Sequence, residues 1–267
     1  SKEDMIDVRT MPIGGKILCS YSTQTCTMTS MGTRPIISPT RIPTSIPPTP
    51  GPDLSDNYTS EEVALNEPNG HITALDFFPD GRFVAAVSAE EGGRLSQNPK
   101  ATLIIQNSSG SLTKSDIPNG QRKVKNISSV KISPKDDSVW MIIKDATNKT
   151  GILANFANGK WDTMELPELK NGAGSLVVDK EGNIWITTSD RAEVKVLVYR
   201  PDKDKLDVYD KEEYFPEAYK LSSILNTRDG EMFVGGDGGG SRDDGLIYKY
   251  DRPTNSWVLL STAIWPV

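Results

Sequence analysis

Four acidic residues recur at one place in a repeating frame: Glu90, Asp145, Asp190 and Asp237. Counted from the turn residues Gly81, Asp137, Gly182 and Gly230, they lie nine, eight, eight and seven positions further on. Carboxylates gathered at one channel mouth would suit a cation, an amine, or a Ca²⁺ ion held by oxygen ligands. Asp also opens loops by bonding to its own backbone, and that plainer reading stands beside the first. The chain holds one histidine, His71, just after the turn Asn69-Gly70. A histidine metal triad is thereby excluded, and any histidine-paired nucleophile would have to use His71. The stretch from Gly235 to Gly245 contains Arg242 and resembles no phosphate-binding loop, which needs a Lys-Ser/Thr pair before a helix. A recognition loop beside Arg242 is expected there. Asp202, Asp204, Asp207 and Asp210 are expected at the opposite end, facing solvent.

The elements that would carry these residues repeat. His71 to Phe78, Ile127 to Ile132, Gly174 to Val178 and Leu221 to Leu225 each precede a polar turn and then a second apolar run. Those second runs are Arg82 to Val87, Val139 to Ile143, Ile184 to Thr188 and Met232 to Val234. Each pair reads as a β-hairpin whose Asp/Gly turn supplies positive φ. A third strand follows (Ala101 to Gln106, Gly151 to Phe156, Val194 to Arg200, Gly245 to Tyr250), and then a more polar fourth. The fourth strands are expected at Ser111 to Ile117, Trp161 to Leu166, Leu206 to Tyr209 and Ser256 to Leu260. The turn residues are 56, 45 and 48 positions apart, a period that marks propeller blades. No stretch carries a capped helical period. The expected fold is all-β, a β-propeller of about five four-stranded blades: 1–70, 71–125, 126–171, 172–219 and 220–267.

Val178-Asp179-Lys180-Glu181-Gly182-Asn183-Ile184-Trp185-Ile186-Thr187-Thr188 resembles the propeller repeat of two-component regulators. Thr187 stands where that repeat has Gly; Gly235 restores it in the last unit, where Phe233 replaces the Trp. The resemblance implies a sensor-like binding role and names no ligand. Trp140 and Trp185 occupy equivalent positions and are expected to fill core between blades.

The first blade is the least regular. Val8 to Ile13, a turn at Gly14-Gly15 and Lys16 to Tyr21 would form its hairpin, with Thr25 to Met31 third and Glu61 to Leu65 fourth. A Pro/Thr-rich insertion over 35–54 would then lie inside this blade, extended because proline lacks the donor that helix and central strand need. A separate N-terminal hairpin is the alternative. A hairpin turning at Ser22 and Thr23 sets Cys19 opposite Cys26, within reach of a disulfide or as two packed thiols.

A net charge of −6 and a pI near 5.0 argue against nucleic acid. No apolar run approaches the ~20 residues of a membrane helix. The cysteine pair and the proline tract favour an extracellular, periplasmic or cell-surface location. The reading is therefore an exported propeller binding a small molecule, glycan or protein through Glu90, Asp145, Asp190, Asp237, Arg242 and His71. Its rivals are a lyase or glycoside hydrolase with paired carboxylates at the channel mouth, and a fragment of a larger propeller.

Overall fold

The computed structural model describes residues 5–6, 16–20, 25–31, 58–65, 70–89, 100–117, 124–145, 150–170, 173–188, 190–191, 193–238 and 244–264. The chain divides after residue 69 into two compact units.

The first unit contains one antiparallel sheet of β1 (Met5–Ile6), β2 (Lys16–Ser20), β3 (Thr25–Met31) and β4 (Tyr58–Ala64), in that order. Met5 and Ile6 pair with Leu18 and Ile17, so the first strand lies nearer the N-terminus than the expected 8–13. Residues 8–13 and the Gly14-Gly15 turn lie outside the described residues, as does the proline-rich stretch. Cys19 stands directly opposite Cys26 in the β2–β3 register.

The second unit holds four sheets, each an antiparallel run of four consecutive strands. They are β5 (Gly70–Phe77), β6 (Phe83–Ala89), β7 (Lys100–Gln106) and β8 (Leu112–Asp116); β9 (Val124–Ile132), β10 (Val139–Asp145), β11 (Gly151–Ala157) and β12 (Lys160–Leu166); β13 (Ala173–Val178), β14 (Ile184–Thr188), β15 (Lys195–Arg200) and β16 (Lys205–Asp210); and β17 (Ala218–Asn226), β18 (Met232–Gly238), β19 (Asp244–Asp251) and β20 (Ser256–Ile264). The chain is not wholly β: one helical turn, α1 (Lys211–Tyr214), is capped by the Asp210 side chain accepting from the Glu213 N–H.

The first strands β5, β9, β13 and β17 lie side by side in sequence order, so they are the inner strands of the unit. Each is bulged, with Thr73, Ser128, the Gly174-Ser175 pair and Ser222 at register shifts, and β9 and β17 carry further shifts at Lys125 and Tyr219. A bulge leaves a residue outside the ladder and bends the strand. The hydroxyls repair part of the loss: the Thr187 hydroxyl accepts from Ser175 N–H at 3.0 Å, and Thr73 donates to Ala86 C=O. Thr187 is fully buried and its oxygen lies where a Cβ on Gly174 would fall, 2.7 Å away. Gly174 thus leaves room for the Thr187 hydroxyl.

Three apolar layers join the sheets. One combines β6 and β7 residues such as Val84 and Leu103 with Val130 and Met141 of the next sheet. A second sets Ile142 and Leu153 against Leu176 and Ile186. The third is aromatic, with Trp185, Tyr209, Phe215, Tyr250 and Trp257 meeting edge to face or tilted. Trp185 packs at 4.9 Å on Tyr250 of the following sheet, and Trp140 at 6.0 Å on Tyr199 of its own following sheet. The two tryptophans therefore do equivalent work between neighbouring sheets.

Candidate functional site

Each sheet of the second unit has a turn end, where first strands pass to second, and a loop end, where second strands pass to third. The turn end is occupied by structural bonding. Gly81, Asp137, Gly182 and Gly230 all have positive φ, between 59° and 90°, and each N–H donates back to the residue that opens its turn. In the third sheet that opening residue is Asp179, fully buried. Its carboxylate accepts from Glu181 N–H, from Asn183 N–H and side-chain amide, and from Trp185 Nε1 at 2.9 Å. The second sheet builds the same clip from different residues: Trp140 Nε1 donates to Ser138 Oγ, which donates to Asp136. Burial works to raise the Asp136 carboxyl, but the serine hydrogen bonds outweigh it and hold it below the usual range. In the first sheet Arg82 donates to Asp80 at 2.7 Å and lowers that carboxyl.

The outer-strand aspartates at this end are partnered too, which corrects the expectation that they face solvent alone. Asp202 pairs with Lys135 at 2.7 Å, Asp204 accepts from the Tyr199 hydroxyl, and Asp207 bridges Arg200 and Lys205. Asp210 caps α1. The short Pro201–Lys203 turn brings cations and acids to the same few residues, so they neutralise one another.

The loop end holds the acids expected from the repeat. Asp190 is partly buried in the β14–β15 loop, and Asp237 is exposed. Asp237 is not a loop residue: it sits in β18, between Lys220 and Gly245. Gly235 and Gly236 also belong to that strand, and a Cβ on Gly236 would fall 1.9 Å from Lys220 C=O. These glycines allow close strand approach, so residues 235–238 and 244–245 of the expected loop are strand residues, and 239–243 lie outside the described residues. Glu90 and Arg242 lie outside the described residues. Asp145 ends β10 opposite Val124. His71 lies near the start of β5, opposite Ser88 and partly buried.

Residues that spacing did not single out join these. Arg191 lies over the Tyr219 ring, 5.0 Å from its centre, and that ring is 40% exposed. Their pairing links the β14–β15 loop to the first strand of the next sheet. Glu193 accepts from Lys170 and lies near Lys195. The Glu193 carboxylate, helped by the charge of Asp190, holds the Lys170 ammonium above its ordinary range. An exposed aromatic next to the turn before an inner strand was the available signal, although sequence spacing alone does not pair it with Arg191. Among the described residues no three His, Cys, Asp or Glu side chains come together as metal ligands. No described helix is long and apolar enough to cross a membrane.

No protein-family model matches the sequence, and no curated protein matches it. Solved structures do resemble it in fold. Virginiamycin B lyase from Staphylococcus aureus matches over 97% of this chain and 87% of its own, at 12% identity and a TM-score of 0.54. A catalytically inactive variant of that lyase, with one histidine replaced by alanine and quinupristin present, matches over the same shares at 11% identity and 0.51. A protein of unknown function from Bacteroides caccae matches over 76% of this chain and 70% of its own, at 11% identity and 0.48. At these identities the likeness concerns architecture. Four-stranded sheets in sequence order, with neighbours of the same build, make the chain an all-β protein with the β-propeller fold.

Proposed function

We propose that this chain is an exported propeller of the sensor-like kind that binds a ligand at the loop end of its sheets. Glu90, Asp145, Asp190, Asp237, Arg242 and His71 would surround the ligand, with Arg191 and Tyr219 added to them. The observation that supports this is the exposed Arg191–Tyr219 pair at the loop end. Asp179, Asp80 and Asp202 at the turn end are committed to clips and ion pairs, as Glu193 is at the loop end. At the loop end an exposed ring carries a guanidinium, and Asp237 makes no ion pair among the described residues. An aromatic face beside carboxylates fits a saccharide or an amine-bearing small molecule. Export is supported by the Cys19–Cys26 register and the proline-rich stretch.

Calorimetric titration with spermidine, cellohexaose and xylohexaose tests the reading. At least one should bind, and Tyr219→Ala and Asp237→Ala should each weaken it about tenfold, the equivalent of ~1.4 kcal/mol. Unchanged affinity in both variants, or amide shifts confined to the turn end, would overturn it.

A lyase is the second reading, and one observation favours it. The fold is shared with virginiamycin B lyase, where the histidine-to-alanine variant is described as inactive. His71 is the one histidine that could take such a role here. Chromatography of quinupristin incubated with the protein, with His71→Ala as control, separates the readings: turnover lost in the variant supports the lyase.

A further inference from the structure

A cavity of about 370 Å³ opens from the turn end of the third sheet along β16 to Tyr214 of α1. We propose that it binds the oxyanion of a monosaccharide-sized ligand: a phosphate, sulfate or carboxylate on a sugar-like frame. Its wall is rich in donors. Arg200, Lys203 and Lys205 contribute three positive charges against the single carboxylate of Asp207. Asp207 bonds Arg200 through Nε at 2.8 Å and Lys205 at 2.6 Å. The guanidinium keeps its remaining N–H groups, which can meet an oxyanion side-on. Lys203 is exposed and makes no ion pair among the described residues.

The other acids of this turn are held elsewhere. Asp202 is drawn to Lys135, and Asp204 to the Tyr199 hydroxyl. The cavity is therefore locally cationic in a chain of net charge −6.

The opposite wall has the same polarity. Asn255 comes from the turn between β19 and β20. Its Oδ1 accepts from both the Tyr209 and Tyr250 hydroxyls, at 2.8 and 2.6 Å. With the oxygen fixed by two donors, the amide N–H₂ is what Asn255 has left to offer a ligand. The two buried tyrosines, whose hydroxyls both point at Asn255, set this orientation in advance. The volume exceeds the needs of a bare oxyanion and falls at the low end for small-molecule sites, ~300–1,000 Å³. Val208 and Tyr214 supply the less polar lining that a sugar ring would meet.

Titration of the full chain with glucose 6-phosphate, inorganic phosphate, glucose and a chondroitin sulfate hexasaccharide tests the proposal. Glucose 6-phosphate or the sulfated hexasaccharide should bind at one site, and glucose should not. The stronger of the two tells a free sugar ester from the acidic unit of a glycan. Lys203→Glu should weaken binding at least about tenfold, as expected for loss and reversal of a charge-assisted contact. Its unfolding midpoint should not move, because Lys203 holds nothing in the folded chain. Inorganic phosphate should compete, and added salt should reduce affinity. No binding by any anion at millimolar concentration, or equal binding by Lys203→Glu, would overturn the proposal. So would glucose binding as well as its phosphate. The loop-end reading stands or falls separately, since Tyr219 and Asp237 take no part here.

Discussion

Asp179 shows how one residue can organise a turn. It is fully buried, and its two oxygens receive donors from Glu181, Asn183 and Trp185. A buried carboxylate is tolerated only when it is well bonded. Removing it leaves the Asn183 amide and the Trp185 indole N–H without acceptors in the interior. Asp179→Ala should therefore cost about 2–4 kcal/mol in urea unfolding, with a change in Trp185 fluorescence that a loss of mere surface charge would not give. This clip was legible in part: the Asp, Gly, Asn and Trp of the repeat were visible in the sequence, and their spacing placed them on one turn. Which acids would be spent in this way was not legible. Asp179 and Asp237 are the same residue type, and only the fold makes one a buried acceptor and the other an exposed strand residue. Arg191 and Tyr219 were hidden for a related reason. They lie in different sheets, and a repeat read along the chain carries no information about partners across it.

The seam between the third and fourth sheets is richly aromatic, and its buried phenols predict a pH dependence. Burial, and then the hydrogen bond with Tyr250, push the Tyr209 hydroxyl well above its ordinary value. Burial, and then Glu217, raise Tyr248 in the same layer. A phenol whose folded pKa exceeds its unfolded value of ~10 adds stability that is fully present below pH 10. That stability is lost as pH rises from 10 towards the folded value, because the unfolded chain releases protons more readily. Thermal midpoints should thus fall steeply above pH 10. Tyr209→Phe should flatten that limb while lowering stability at neutral pH, since Asn255 loses a donor. An alkaline slope identical in the variant would show that the tyrosine network does not titrate with unfolding. Strand order within these elements was legible because hairpin turns punctuate it. Bulges at Thr73, Ser128, Ser175 and Ser222 were not, although a small hydroxyl residue stands at the same point of every repeat. A bulge follows from register with a second strand, and periodicity within one strand does not encode register.

Across the second unit, burial peaks at the second strands and falls towards the fourth. In the first and third sheets the second strand is buried on both faces: Ile184 to Thr188 are all buried, as are Phe83 to Val87. The fourth strands alternate partly buried with exposed residues, as in Leu112–Asp116 and Lys160–Trp161 onward. A fourth strand also has a ladder partner on one side only, so fewer contacts resist its detachment. Local opening should consequently begin at the periphery, while the second strands exchange their amides only through global unfolding. Hydrogen exchange monitored by mass spectrometry should show peptides of β8, β12 and β16 exchanging at least about tenfold faster than those of β6, β10 and β14, given opening energies that differ by ~1.4 kcal/mol or more. Uniform protection from inner to outer strands would mean that each sheet opens as a single unit. The test also bears on the two ligand sites. The turn-end cavity is built on β16, so occupation by glucose 6-phosphate should slow exchange there selectively, as binding to the folded state alone requires. A ligand at the loop end should instead protect the first residues of β17, where Tyr219 lies.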